Sequence, residues 1–128
     1  MNYRKISSIS LVLLLFMLLS SFTSEDPVKR FSPEGSWEYS VPGVQPGYET
    51  GTMIVAKDGK EYKVTMALNE YYQVAGEKVV YKKKQLSFSV WVETEEILVS
   101  GMFDEDRFKG TIQYSEGEFN LTAVRTSE

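Results

Sequence analysis

The sequence predicts an all-β domain, an eight-stranded antiparallel up-and-down barrel, placed behind an N-terminal signal peptide. Three observations carry this. Apolar and polar residues alternate with period two from residue 35 onward, and turn residues punctuate the alternation at hairpin spacing. The apolar positions of successive strands also fall opposite one another across those turns, so that one face of the sheet is apolar throughout.

The first element is the signal, residues 1–24. Arg4 and Lys5 form a basic n-region, Ile9 to Leu19 an apolar stretch broken only by Ser10, and Ser20, Ser21, Thr23 and Ser24 supply small residues for cleavage. The apolar stretch falls short of the roughly 20 residues of a spanning helix. With no cysteine in the chain, the acylated-lipoprotein route is closed. The expected location is therefore secreted or periplasmic. Residues 25–34 read as a short polar leader, and 35–128 as the barrel domain.

The eight strands are expected near 35–41, 49–56, 61–68, 77–82, 86–93, 96–104, 107–114 and 118–125. Tight turns are expected at Asp58-Gly59, Lys83-Lys84, Thr94-Glu95, Glu105-Asp106 and Glu116-Gly117. These turns imply a register: Val55 against Tyr62, Met53 against Val64, Val90 against Val99, Phe88 against Gly101, Phe103 against Phe108, and Ile112 against Leu121. Two longer connections remain, Pro42–Tyr48 and Asn69–Gly76. A one-face-apolar meander of eight strands buries its edges best by closing on itself.

Gly35-Ser36-Trp37 on the first strand and Arg125 on the last now carry a resemblance. The chain resembles the compact lipocalin-like (calycin or avidin-like) barrels of exported bacterial proteins, which open on a glycine-any-tryptophan signature and pack a basic residue across that tryptophan. The chain is shorter than a typical lipocalin and lacks the C-terminal helix and the disulfide. The resemblance implies that Trp37 and Arg125 form a structural pair at the barrel floor. It also implies small-molecule binding, or protease inhibition in the avidin-like branch.

Composition narrows the function. Histidine and cysteine are both absent, which excludes Ser/His/Asp and Cys/His nucleophilic schemes, and Asp104-Glu105-Asp106 lacks calcium-loop spacing. No catalytic residue, metal site or cofactor is expected, and the chain reads as a binding protein rather than an enzyme. Cleavage after residue 23 would leave 12 basic against 18 acidic residues, a net charge of −6, which argues against nucleic acid as a partner.

The candidate site lies at the end opposite Trp37 and Arg125. The two long connections place Val44, Gln45, Tyr48, Tyr71, Tyr72 and Gln73 there, aromatic and amide groups suited to gripping a ligand or merely to covering an apolar mouth. Glu49, Glu70, Glu77, Glu93, Glu95, Glu96, Glu116 and Glu118 make that rim acidic, with Lys78 the one nearby base. Two readings follow. One is a small apolar, neutral or cationic ligand held at the rim. The other is an extracytoplasmic protein partner, such as a basic hydrolase inhibited through the acidic loops. Inside, Gly51, Gly101, Gly110 and Ala123 share one level and leave either a cavity or room for curvature, with Phe88 covering Gly101. Outside, Trp91, Leu98 and Met102 form an apolar patch that suits either a homodimer or cover by residues 28–31 of the leader.

Overall fold

The computed structural model describes residues 30–128; the expected signal peptide and residues 25–29 of the leader lie outside the described residues. The alternation of the sequence becomes nine strands: β1 Gly35–Ser40, β2 Thr50–Asp58, β3 Glu61–Asn69, β4 Tyr72–Ala75, β5 Glu77–Lys82, β6 Gln85–Val92, β7 Glu95–Asp104, β8 Arg107–Tyr114 and β9 Gly117–Ser127. They form one antiparallel sheet in the order β4-β3-β2-β1-β9-β8-β7-β6-β5.

The ninth strand is β4, which lies within the expected long connection Asn69–Gly76, while β5 is the expected strand at 77–82. β4 and β5 stand at opposite ends of the sheet order, yet only Gly76 separates them in the chain. β4 pairs with β3, as in Thr65↔Ala75 and Met66↔Val74, whereas β5 pairs with β6, as in Val80↔Ser87 and Tyr81↔Leu86. One strand thus changes partner midway and joins the two ends of the sheet into a nearly closed barrel. Gly76 is the crossing point. Its N–H donates to the Val64 carbonyl at 2.7 Å, and a Cβ on it would stand 3.1 Å from the Val64 Cβ and 3.3 Å from the Phe88 ring. Just beyond, Lys78 takes a φ of 53° and the register slips between Glu77 and Val80, a bulge that sharpens the bend. The expected long connection Asn69–Gly76 is therefore mostly strand, with only Glu70 and Tyr71 turning the chain.

Below Gly76, no ladder joins β3 and β5 among the described residues. The Tyr62 and Tyr81 rings close this seam from inside, edge to face with centroids 4.9 Å apart.

The hairpin registers keep the expected faces but shift by two residues in three hairpins. Val55 opposes Val64 and Met53 opposes Met66; Phe88 opposes Val99 and Leu86 opposes Gly101; Ile112 opposes Phe119 and Gly110 opposes Leu121. The turns are Gly59-Lys60, Glu93-Thr94 and Ser115-Glu116, each one residue away from its expected place. The cause is the hand of the turn. Gly59 and Glu93 hold the positive φ at the first turn position (66° and 58°), and Gly117 holds it just after a turn (125°), where the ladder starts in regular register with Tyr114↔Gly117. The hairpins at Lys83-Lys84 and Glu105-Asp106 stand where expected, with Phe103 against Phe108.

The lower half of the interior is aromatic. Phe103 is its hub, with ring centroids 4.7 Å from Phe108, 4.8 Å from Trp37, 5.5 Å from Phe31 and 6.1 Å from Tyr81. Trp37 is fully buried and donates its indole N–H to the Pro33 carbonyl at 3.0 Å. Arg125 lies over the Trp37 ring at 4.6 Å and over Phe31 at 5.4 Å, and its Nη1 donates to the carbonyls of Ser32 and Glu34 at 3.0 and 2.8 Å. Residues 31–34 thereby seal the floor, so Phe31 does not cover the outer patch. Trp91, Leu98 and Met102 stay about half exposed there, with Trp91 directly opposite Glu96 and Leu98 opposite Ser89. Ser89 lies on that outward row yet is buried.

Candidate functional site

The small inward residues at mid-height leave no void at their own level. Gly101 lies under Phe108, whose Cζ would stand 2.5 Å from an added Cβ, and Gly51 lies under the Tyr39 ring, whose Cε2 would stand at 2.7 Å. Both glycines are filled by aromatic rings rather than by space, the rescue expected where a strand gives up a side chain to curvature. The ring over Gly101 belongs to Phe108 and not to Phe88.

The void lies higher, below the rim. An apolar cavity of about 100 Å³ opens at the end opposite Arg125. Its wall is built from inward positions at the upper ends of the strands: Tyr39 on β1, Met66 and Leu68 on β3, Val90 and Val92 on β6, Ile97 and Val99 on β7, Ile112 and Tyr114 on β8, and Leu121 on β9. Val41, Val44, Gln45 and Tyr48 come over it from the β1–β2 loop, and Glu93 and Glu95 stand at its mouth. Strand alternation explains the apolar wall: every second residue of each strand faces inward, and the bulky aromatics are concentrated at the floor.

The loop is held in place at both ends. The Val41 N–H donates to the Glu49 carbonyl at 2.7 Å, which closes its base, and the Tyr48 N–H donates to the Gln45 carbonyl at 3.1 Å. Its tip reaches across to the β6–β7 turn, where the Tyr48 hydroxyl donates to Glu93 Oε1 at 3.1 Å. The Glu93 N–H in turn donates to the Tyr72 hydroxyl at 3.1 Å. The hydrogen bond to Glu93 is the main reason the Tyr48 hydroxyl is raised above the usual phenol range. Nearby, Ser115 donates its hydroxyl to Glu95. Burial, with the charges of Glu116 and Glu95, raises Tyr114.

Of the residues expected at the rim, Val44, Gln45 and Tyr48 line the cavity. Tyr72 stands beside it as the support of Glu93. Gln73 is exposed on β4, and Tyr71 projects from the β3–β4 turn with 94 % of its surface exposed. Tyr39 belongs to the cavity wall as well. Its hydroxyl is buried with no hydrogen-bond partner among the described residues, and burial pushes it up to about 12. Glu93 and Glu95 were legible as rim charges, but their place on the cavity mouth follows from the turn shift that brings Glu93 into the turn itself.

Among the described residues no cluster of three or more acidic side chains is placed to hold a metal ion. The chain matches no known protein-family model, and no curated protein matches it as a relative.

Proposed function

We propose that this chain is an exported, non-catalytic, lipocalin-like barrel that binds a small apolar molecule through its open rim. The observation that supports this best is the cavity itself: apolar walls, one mouth, and a loop latched over it by Tyr48 and Glu93. Its volume sets the scale. A dry apolar cavity of about 150 Å³ holds benzene, so about 100 Å³ accommodates the equivalent of four or five carbon atoms. Drug-sized ligands need roughly 300 Å³ or more; the ligand is either small or places only one end inside. The mouth residues Glu93 and Glu95 disfavour fatty-acid carboxylates and leave neutral or cationic ligands.

A titration with 1-butanol, followed through the methyl resonances of Met66, Val90, Ile112 and Leu121, tests the reading. Saturable shifts confined to these methyls are expected, and Ile97→Phe in the half-buried upper wall should abolish them. Shifts that are absent, or that are spread over the outer face, would refute it.

A second reading has its own observation. Tyr71, fully presented at the tip of the β3–β4 turn beside Glu70, has the form of an aromatic anchor for a protein partner with a basic surface. Native mass spectrometry of the protein from its own host separates the two: a small adduct favours the cavity, and a stoichiometric protein favours the Tyr71 tip.

A further inference from the structure

The seam between β3 and β5 leaves two strand edges facing each other without a ladder among the described residues. The hairpin registers fix which backbone groups point into it. Across the turn Gly59-Lys60, Asp58 and Glu61 exchange hydrogen bonds, as do Ala56 and Lys63, so the N–H and C=O of Tyr62 face away from β2. Val64, next in that row, agrees, since its carbonyl accepts from the Gly76 N–H at 2.7 Å. On the other side, Val80↔Ser87 and Lys82↔Gln85 flank the turn Lys83-Lys84, which points the N–H and C=O of Tyr81 away from β6. Tyr62 and Tyr81 thus each present a main-chain donor and acceptor outside any ladder, and such edges are templates for an added strand.

The seam also holds open space. A cleft of about 450 Å³ lies along it, with Lys60, Glu61, Tyr62 and Lys63 on one wall and Gly76, Val79, Val80 and Tyr81 on the other. The edge-to-face rings of Tyr62 and Tyr81 form an apolar bed on its inner side. Its outer margin is basic. Residues 57–63 and 77–84 carry seven lysines against Asp58, Glu61 and Glu77, a surplus of four positive charges in a chain whose net charge is −4. Among the described residues, only Lys63 and Lys78 of the seven reach a carboxylate, Asp58 at 2.8 Å and Glu96 at 4.0 Å. Side chains alternate along a strand, so a strand laid in the cleft would turn every second residue onto the tyrosine rings and the others out among the lysines.

We propose that this seam is a docking site for an extended acidic segment of a partner protein, in which acidic and apolar residues alternate and whose backbone bonds to the free edges at Tyr62 and Tyr81. The site shares no residue with the rim cavity and stands whether or not that cavity holds a ligand.

The test titrates the whole protein, by fluorescence anisotropy, with a fluorescein-labelled hexapeptide of alternating glutamate and valine. Its lysine–valine counterpart and a copy with methylated valine nitrogens serve as comparisons. The glutamate peptide should bind about tenfold tighter than the lysine peptide, the sum of three partly exposed charge pairs, and salt should shrink that preference. Methylation removes main-chain donors and should weaken binding about tenfold or more. Bound peptide should slow amide hydrogen exchange at Tyr62 and Tyr81 and leave the rim loop at 42–48 unchanged. Lys60→Glu combined with Lys82→Glu, both at exposed positions, should reverse the preference between the two peptides. Equal binding of the two charged peptides overturns the acidic partner. Indifference to methylation, or protection away from the seam, overturns strand addition, and no binding of either peptide overturns the site. Slow exchange at Tyr62 and Tyr81 before peptide is added overturns it too, because the edges are then already taken by the chain's own leader or by each other.

Discussion

Replacing Arg125 with methionine separates what holds the barrel floor from what merely decorates it. The guanidinium is almost fully buried, with its side chain 8 % exposed. It makes four kinds of contact: over Trp37 at 4.6 Å, to the carbonyls of Ser32 and Glu34 at 3.0 and 2.8 Å, to Asp106 Oδ1 at 3.0 Å, and to the Glu105 carbonyl at 3.5 Å. The stacking contributes about 0.5–2 kcal/mol. Each charge-assisted bond to a part-buried carbonyl contributes about 1.5 kcal/mol, the low end because water can partly replace it. Asp106, 72 % exposed, adds less than about 1 kcal/mol. Arg125→Met should therefore destabilise the domain by roughly 3.5–6 kcal/mol and lower Tm by roughly 15–30 °C, whereas Asp106→Asn should change it by less than about 1 kcal/mol. Arg125→Lys should recover little, because an ammonium cannot reach two carbonyls and stack at once. Urea unfolding followed by Trp37 fluorescence measures all three. If Asp106→Asn cost as much as Arg125→Met, or if Arg125→Lys restored full stability, the floor would be held by a simple ion pair and the reasoning would fail.

Tyr39→Phe removes a buried hydroxyl that has no partner among the described residues, so the protein should be stabilised by about 1 kcal/mol in urea unfolding; a loss of that size would reveal an acceptor already present. The same hydroxyl, raised to about 12 by burial, keeps its proton in the folded state after the unfolded chain has lost it. Its contribution is intact below pH 10 and lost as pH rises from 10 towards 12, so alkaline unfolding should shift to higher pH in Tyr39→Phe, as read by tyrosinate absorbance. Gly51→Ala would place a Cβ 2.5 Å from both the Ala67 carbonyl oxygen and the Tyr39 hydroxyl, an overpacking that should cost about 1–3 kcal/mol in the same urea assay. Amide hydrogen exchange should be faster along the seam, at residues 61–63, than in the β7–β8 ladder at 99–103, and Tyr62→Ala should widen that contrast; uniform protection would mean the seam is hydrogen-bonded in solution.

The face of every strand was legible because side-chain direction in a strand has period two, so an error of two residues in register costs nothing in the hydrophobic pattern. That is why three hairpins slipped by two residues from their expected registers and yet kept the same inward set. What alternation cannot supply is the turn's handedness. Glu93 at φ 58° carries none of the glycine or asparagine signal that marks such a position, and it is held where the Tyr48 and Tyr72 hydroxyls meet it. The turn at Glu93-Thr94 is thus set by contacts from elements 21 and 45 residues away, which no local pattern contains. The strand broken at Gly76 has the same origin: Tyr72–Ala75 reads as part of a rim connection and only Glu77–Lys82 as a strand, because the change of partner at Gly76 depends on β3 and β6 approaching from both sides. These two nonlocal features build the site. The displaced turn brings Glu93 to the cavity mouth, and the extended β4 shortens the second rim loop to Glu70 and Tyr71, leaving the β1–β2 loop alone to cover the opening. The sequence pattern therefore locates the rim through its acids and tyrosines. Which of them face the cavity is decided by closure of the barrel, and that closure splits the expected six into Val44, Gln45 and Tyr48 on the wall and Tyr71, Tyr72 and Gln73 outside it.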